Sequence, residues 1–477
     1  MAIQPTFQRP LGYLVLAAAL VANPAISADL DALPALNAAI TESSISGLSS
    51  GAFMAVQFGT AWSSIIKGVG VISGGPYYCA QTSSVTATGA CMKGPPPSPR
   101  VSIEMADRKA QAEEIDSTDN LRGQQIYLFH GYNDDTVRRG VTDAAAEFYE
   151  HYLGRGGSGH LFYQKTLGAG HAFIVTDTPR TVNLNDCSIS RSPFIDRCGS
   201  YDQAGVILQH IYGALNAPAN PDALSGTVKS FDQTRYAEPD TLGALSLARN
   251  GYVFVPKDCE VSTGPPCRVH VVLHGCRQNA DAIGRLLVDG AGFNDWADTN
   301  RVIVLYPQTA ARWFWLPPWQ PYNPLACWDW WGYVSGDDSY ITKSGRQIKV
   351  IKAMLDALTA GYRPATTAAT PGNVPGALAV IDTSDRAAVL AWMPVSGATL
   401  YRISRADADG NFAPVGSIAA SSFADPGLAP QRFYRWHVTA VINGSEGPAS
   451  AEASATTRAS PSPCERPGNC PIGAPTK

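Results

Sequence analysis

Gly47-Leu-Ser49-Ser50-Gly51 sets a serine between glycines, with a β-prone run before it and an apolar helical stretch, Ala52 to Trp62, after it. Strand, tight turn and helix in that order can hold an alcohol as a nucleophile, and the glycines matter because the corner presses backbone against backbone. Taken alone, the pentapeptide also fits an ordinary Gly/Ser turn. A serine hydroxyl is a poor nucleophile at neutral pH; it needs an imidazole base, which needs an acid to orient it. After the apolar run Ile126 to Phe129 comes His130-Gly-Tyr-Asn-Asp134-Asp135-Thr-Val137, and after Leu167 comes Gly168-Ala-Gly-His171-Ala-Phe173. Both are loops at expected strand ends, where sheets of this kind carry their chemistry. Ser49 is therefore expected as nucleophile, His171 as general base and Asp134 as orienting acid, with Asp135 its rival one residue on. His151, His160, His210 and His437 lie in helical, glycine-rich or sandwich contexts without an acid loop beside them.

Ser, Asp, His is also the chain order in α/β-hydrolases. His274-Gly275-Cys276 follows the apolar run Val269 to Leu273, and His-Gly at a strand end is the form of an oxyanion-hole loop in lipases and esterases. Such a hole needs two backbone donors aimed at developing negative charge, and the amides of Ser50 and Cys276 are expected to supply them. The order is rotated, however: the oxyanion strand ordinarily precedes the nucleophile, whereas His274 lies more than two hundred residues after Ser49. The helix expected from Ser344 to Leu358 would ordinarily lead into the nucleophile strand, and here it ends the catalytic region. A circular permutation accounts for both, since domain termini often lie close together.

These residues need a frame. From residue 40 to 361 strand-like runs alternate with helical spacing, the pattern of an α/β domain. Gly68 to Ile72, Ile126 to Phe129, Tyr252 to Val255, Val269 to Leu273 and Val302 to Tyr306 read as strands, Thr142 to Tyr152 and Ala204 to Tyr212 as helices, and Asn216 to Asn250 as a looser stretch. A small-residue, Pro-containing linker follows, then alternating strands of a β-sandwich. Trp392 on an early strand and Leu428-x-Pro430-x-x-x-Tyr434 before a late one resemble a fibronectin type III module, with Tyr434 as its tyrosine-corner residue. Phe433 or Trp436 would serve in adsorption if the alternation turns them outward. The expected organisation is a signal peptide over 1–28, a catalytic domain over 29–363, a linker over 364–375, the sandwich over 376–457 and a Pro/Ser-rich tail over 458–477.

The signal peptide rests on an apolar run from Leu11 to Ala22 that is broken by Pro24 and leads to small residues, with cleavage expected after Ser27 or Ala28. Export, extracellular or periplasmic, places ten cysteines in an oxidising setting, where an even count points to disulfides. Eight lie in close sequential pairs: Cys79 with Cys91, Cys187 with Cys198, Cys259 with Cys267, and Cys464 with Cys470. Cys276 and Cys327 are left to pair over a longer span, although spacing alone does not decide connectivity. No CxxC pair occurs, so no metal is expected, and no cofactor either. Among 477 residues only 16% are charged, the net charge is −4 and no Lys/Arg run occurs, which argues against a nucleic-acid partner. No apolar run reaches the roughly 20 residues of a membrane span.

Four segments together resemble the extracellular poly(3-hydroxybutyrate) depolymerases whose lipase box lies near the N-terminus. They are Ser46 to Ala55, Gly74-Gly-Pro-Tyr-Tyr-Cys79, His274-Gly-Cys276 and Asn323-Pro-Leu-Ala-Cys-Trp-Asp-Trp-Trp-Gly-Tyr333. The resemblance spans most of residues 40–361. It implies a circularly permuted α/β-hydrolase domain, here followed by a fibronectin type III-like β-sandwich, that cleaves a water-insoluble polyester with Ser49, Asp134 and His171. It further implies that an aromatic residue of the Cys-Trp-Asp-Trp-Trp segment contacts the polymer. Six of the ten tryptophans fall between Trp313 and Trp331, a concentration of rigid apolar surface suited to an uncharged chain. Trp328 is the preferred substrate-facing ring, with Trp330, Trp331 and His274 beside it, and the protein is expected to act as a monomer. Extracellular members of the family carry a separate polymer-binding domain, and no segment here is read as one. Two other readings stand beside the depolymerase: a feruloyl or acetyl-xylan type esterase with the same triad, and a non-catalytic adhesion protein.

Overall fold

In a computed structural model that describes residues 31–154, 157–178, 181–261, 265–313, 321–362, 374–395, 397–407, 410–442 and 444–460, the apolar runs of the first part form one sheet. The segment read as a signal peptide, most of the linker, and Cys464 and Cys470 lie outside the described residues. The chain divides into two compact units between Pro364 and Ala365.

The strands of the first unit are β1 (Ala38–Leu48), β2 (Ile66–Ile72), β3 (Gln125–Phe129), β4 (Leu161–Gln164), the short β5 (Phe173–Val175), β6 (Asn185–Asp186) and β7 (Ile195–Arg197), then β8 (Thr227–Asp232), β9 (Asn250–Val255), β10 (Cys267–Leu273) and β11 (Val302–Tyr306). Eight of them make a sheet in the order β4-β3-β2-β1-β10-β11-β9-β8. The pairs from β4 through to β11 are parallel, while β9 runs antiparallel to β11 and β8 antiparallel to β9. Counted from β8 through β11 and then from β1 to β4, this becomes 1-2-4-3-5-6-7-8, an α/β-hydrolase sheet whose chain starts in the middle. The permutation expected from the motif order is thus built into the sheet.

Strand alternation divides the core in two. Ile45, Val69, Val71, Leu128, Val269 and Val271 pack on one face, and Leu48, Ile72, Phe129, Val272 and Val304 on the other. The helix Ser50–Ala61, which leaves β1, is buried at every position, consistent with its small and apolar composition. Its one long polar side chain, Gln57, donates to Asp329 O and Tyr340 O. One part of β1 differs from an ordinary buried strand: Ser44 and Ser46 bond the two ring nitrogens of His270, at 2.6 and 2.8 Å. Burial pushes that ring down to about 3, so it stays neutral and acts as a polar rivet between β1 and β10.

The second unit has two antiparallel sheets. Strands β12 (Gly376–Thr383), β13 (Ala387–Met393), β14 (Ala398–Ala406), β15 (Phe412–Ile418), β16 (Ser422–Pro426), β17 (Phe433–Ile442), β18 (Ser445–Ala449) and β19 (Ala453–Thr456) divide into β12-β13-β16 and β15-β14-β17-β18, with β19 also on β17. Trp392, Ile403 and Val438 lie in the core between them. The Tyr434 hydroxyl accepts from Ala429 N–H at 2.9 Å, the backbone tie of a tyrosine corner, and the unit is a fibronectin type III-like sandwich. Trp436 points inward, fully buried, with its indole N–H on Asp425, so it is no adsorption residue; Phe433 faces outward.

Candidate active site

β1 ends at Leu48, and Ser49 turns the chain with φ 58° and ψ −121°, a conformation that costs an L residue about 1–3 kcal/mol. The corner is held by Ser49 N–H to Ile72 O at 2.9 Å and by Ser49 O, which accepts from Ala52 and Phe53 N–H. A Cβ at Gly47 would stand 2.9 Å from Ala52 N, and one at Gly51 would stand 2.5 Å from His274 O. The two glycines are therefore what lets the elbow close and lets it press against the end of β10. Ser50 opens the helix, and its N–H, like the others of a first turn, has no intrahelical acceptor and sits at the positive end of the helix dipole.

The loop after β10 lies against this corner, since a Cβ at Gly275 would be 3.5 Å from Ser49 Cβ. His274 is fully buried: its Nε2 accepts from Thr309 N–H at 3.1 Å, so Nδ1 carries the proton and donates to Gly275 O at 2.7 Å. Burial lowers its pKa to about 4, and the neutral ring props the loop. Cys276 is bonded to Cys327, with Cα atoms 4.3 Å apart. Asn323 grips both backbone groups of Cys327, each at 2.9 Å. Neither Ser50 N–H nor Cys276 N–H has a protein acceptor among the described residues. Cys79–Cys91, Cys187–Cys198 and Cys259–Cys267 are also paired.

On the other side of β1, two strands along, β3 leads into the acid loop. Asp134 Oδ1 accepts from Thr136 and Val137 N–H at 2.8 and 3.1 Å, and Oδ2 accepts from His171 Nδ1 at 2.7 Å. That bond leaves His171 Nε2 free to take a proton. Burial acts to raise the Asp134 carboxyl, but His171, Ser73 and His130 together outweigh burial and hold the group below the ordinary carboxylate range. Tyr132 and Asn133 N–H donate to Leu167 O and Ala169 O, which ties the acid loop to the histidine loop. The rival Asp135 is exposed, and only its carbonyl is engaged, by Lys93 Nζ at 2.6 Å. Among the described residues the Ser49 hydroxyl makes no hydrogen bond; it stands half-buried at the C-terminal edge of the parallel strands, the edge that carries His130 and His274.

The aromatic expectations change. Trp328 is completely buried in the core, its backbone N–H donating to Ser50 Oγ at 3.3 Å and its ring tilted against His274, so it supports the elbow and presents no face to a polymer. His274 is excluded from substrate contact by the same burial. Trp330 is buried against Phe53, with centroids 4.6 Å apart. Trp331 alone of the three is part-exposed, and it packs on Trp330 and Tyr333. Tyr132, 72% exposed and two residues from Asp134, was not signalled by any motif. Gln278, whose side chain joins the His274 loop to the segment beside His171, has no signal in the sequence, because a lone glutamine carries no spacing signature.

A strained serine at a strand-helix corner, beside a propped His-Gly-Cys loop and on the edge that holds an Asp–His pair, defines a serine esterase of the α/β-hydrolase class. No protein-family model matches the chain. A poly(3-hydroxybutyrate) depolymerase from Delftia acidovorans is 38% identical over 427 residues, 88% of this chain and 80% of the relative. A polyhydroxybutyrate depolymerase from Talaromyces funiculosus is 37% identical over 349 residues, 72% of this chain and 97% of the relative. The crystal structure of PHB depolymerase from Penicillium funiculosum matches with TM-score 0.61 at 35% identity, covering 70% of this chain and 100% of its own. A PHB depolymerase with a serine-to-alanine substitution, complexed with an R3HB trimer, matches with TM-score 0.61 at 34% identity over the same shares. The chain belongs to the poly(3-hydroxybutyrate) depolymerase family.

Proposed function

We propose that this protein hydrolyses the ester bonds of poly(3-hydroxybutyrate) through an acyl-enzyme on Ser49, releasing soluble hydroxybutyrate oligomers. The observation that carries the reading is the pairing of a strained Ser49 elbow with a buried Asp134 that fixes His171 in the Nδ1–H form. His171 Nε2 takes the hydroxyl proton as Ser49 Oγ bonds to the ester carbonyl carbon. The amides of Ser50 and Cys276 stabilise the oxyanion, and the leaving alcohol departs with the proton from His171. Water then adds by the same route, His171 again acting as base, and frees the acid product. Trp331, part-exposed where Trp328 and Trp330 are buried, is our candidate for contact with the polymer. Four disulfides in the first unit suit an oxidising compartment, and we assign 1–28 as the export signal, 29–363 as the catalytic domain, 364–375 as linker and 376–457 as the sandwich.

Purified protein should clear a poly(3-hydroxybutyrate) suspension, and Ser49→Ala, folded by circular dichroism, should not. Clearing by the Ala variant would overturn the assignment of the nucleophile. Release of ferulate or acetate from plant polysaccharide esters with no clearing of polymer would overturn the substrate.

A further inference from the structure

Gln278 lies four residues beyond His274 and is buried. Its Oε1 accepts from Gly275 N–H at 2.8 Å, and its Nε2 donates to Phe194 O at 2.9 Å and to Pro193 O at 3.1 Å. The amide orientation is fixed by its partners, since a backbone N–H must face the oxygen and two carbonyls must face the nitrogen. Both donors are therefore used, and the acceptor meets the residue directly before Cys276.

The far end of this bridge leads to the histidine. Phe194 O also accepts from Phe173 N–H at 2.9 Å, two residues after His171. The Phe194 ring meets the His171 imidazole edge-on, with centroids 6.5 Å apart. In the same segment Ser190 Oγ accepts from His171 N–H at 2.9 Å, and Cys187 O accepts from Gly170 N–H at 2.7 Å. Phe194 itself is held at φ 58°, so its carbonyl direction depends on such ties. The oxyanion loop and the segment cradling the base come from parts of the chain about 85 positions apart, and Gln278 joins them through a single side chain.

We propose that Gln278 is a positioning residue that sets the oxyanion donors at a fixed distance from the His171 imidazole. The inference rests on the roles given above to His171 and Cys276. The transition state needs both groups on one carbonyl at once, and an error of about 1 Å between them costs about 10²-fold in rate.

The test uses the full-length protein, a soluble hydroxybutyrate ester and two substitutions. Gln278→Met keeps length and removes every side-chain hydrogen bond. Gln278→Glu keeps the acceptor and, once protonated, regains one donor. For Gln278→Met we expect kcat to fall about 10- to 100-fold with KM within about twofold. For Gln278→Glu the ratio of its kcat to that of the unaltered enzyme should rise as pH falls from 8 to 5.5, whereas the ratio for Gln278→Met should stay flat. The pH dependence of the unaltered enzyme divides out of both ratios. The proposal is overturned if kcat is unchanged in both variants, if only KM moves, or if the Glu ratio is flat. It is equally overturned if neither variant folds by near-ultraviolet circular dichroism, because the bonds would then carry the fold and not the site. Ser49→Ala run in parallel separates the two failures: activity in that variant would remove the site reading, and only the Gln278 results bear on the bridge.

Discussion

Asp134 is buried, with one oxygen capped by two backbone amides and the other on His171, whereas Asp135 is exposed and bonds only through its carbonyl. Asp134→Asn keeps the shape but offers an amide where a carboxylate must orient the imidazole, so kcat should fall by about 10³- to 10⁴-fold. Asp135→Asn should stay within about twofold of the parent. Steady-state kinetics on a soluble ester checks both, and reversed outcomes would exchange the roles. The tryptophans divide by burial in the same manner. Trp328→Ala should cost about 3–5 kcal/mol of stability through the cavity it leaves, visible as a lower denaturation midpoint. Trp331→Ala should leave that midpoint almost unmoved and weaken turnover of polymer more than of a small ester. Residue types and order point to the proposed triad and oxyanion donors, because an elbow, an acid loop and a histidine loop each have a local signature. Which tryptophan faces outward was not legible, since burial of a ring depends on how Ser50, His274 and Asn323 fold around it, and no spacing carries that.

Strands differ in how plainly they announce themselves. The runs at Ile126, Val269 and Val302 are apolar at consecutive positions because both faces of β3, β10 and β11 are covered, and so they were readable. β8 lies inside the stretch Asn216 to Asn250 that reads as loose, because it is an edge strand largely exposed over its first four residues, and the antiparallel sense of β9 has no trace in its composition. The three-residue strands β5 and β7 are too short for any period, although they brace the histidine loop. Asp196 on β7 is a consequence of that packing: it is fully buried, neither carboxyl oxygen has a hydrogen-bond partner within bonding geometry among the described residues, and burial raises it to about 8. The sign follows from linkage. Between about pH 4, where the unfolded chain loses this proton, and pH 8, where the folded chain does, only the folded state holds it, so stability declines as pH rises, at no more than about 1.4 kcal/mol per pH unit. Asp196→Asn removes that dependence. The variant should gain on the parent steadily from pH 4 to pH 8 in urea unfolding, and an equal difference at both ends would refute the buried acid.

At the scale of the whole molecule, the rotated chain order is explained by what meets at the start and end of the catalytic unit. Leu36 N–H, just before β1, donates to Leu358 O at 2.9 Å, near the end of the helix Arg346–Thr359. A Cβ at Gly361 would lie 2.7 Å from Ala35 O. The helix that would lead into the nucleophile strand in an unrotated chain therefore already stops beside it, and only the peptide connection is missing. In the proposed mechanism catalysis depends on where Ser49, His171 and Cys276 stand, not on the order in which they are made, so restoring the connection should not disturb the site. Asp31 is five residues before Leu36, at most about 18 Å of extended chain, and a Gly/Ser linker of about six to eight residues from Tyr362 spans it. New ends fit between Asp222 and Ala223, both exposed and ahead of β8. The rejoined catalytic unit would run from β8 to β11 and then from β1 to β7, placing the His274 loop before the elbow. We expect it to fold and to keep kcat on a soluble ester within about threefold of the same unit in its natural order. An insoluble product, or a folded one with a loss of several hundredfold, would show that the break between Tyr362 and Asp31 is itself needed to set the nucleophile strand.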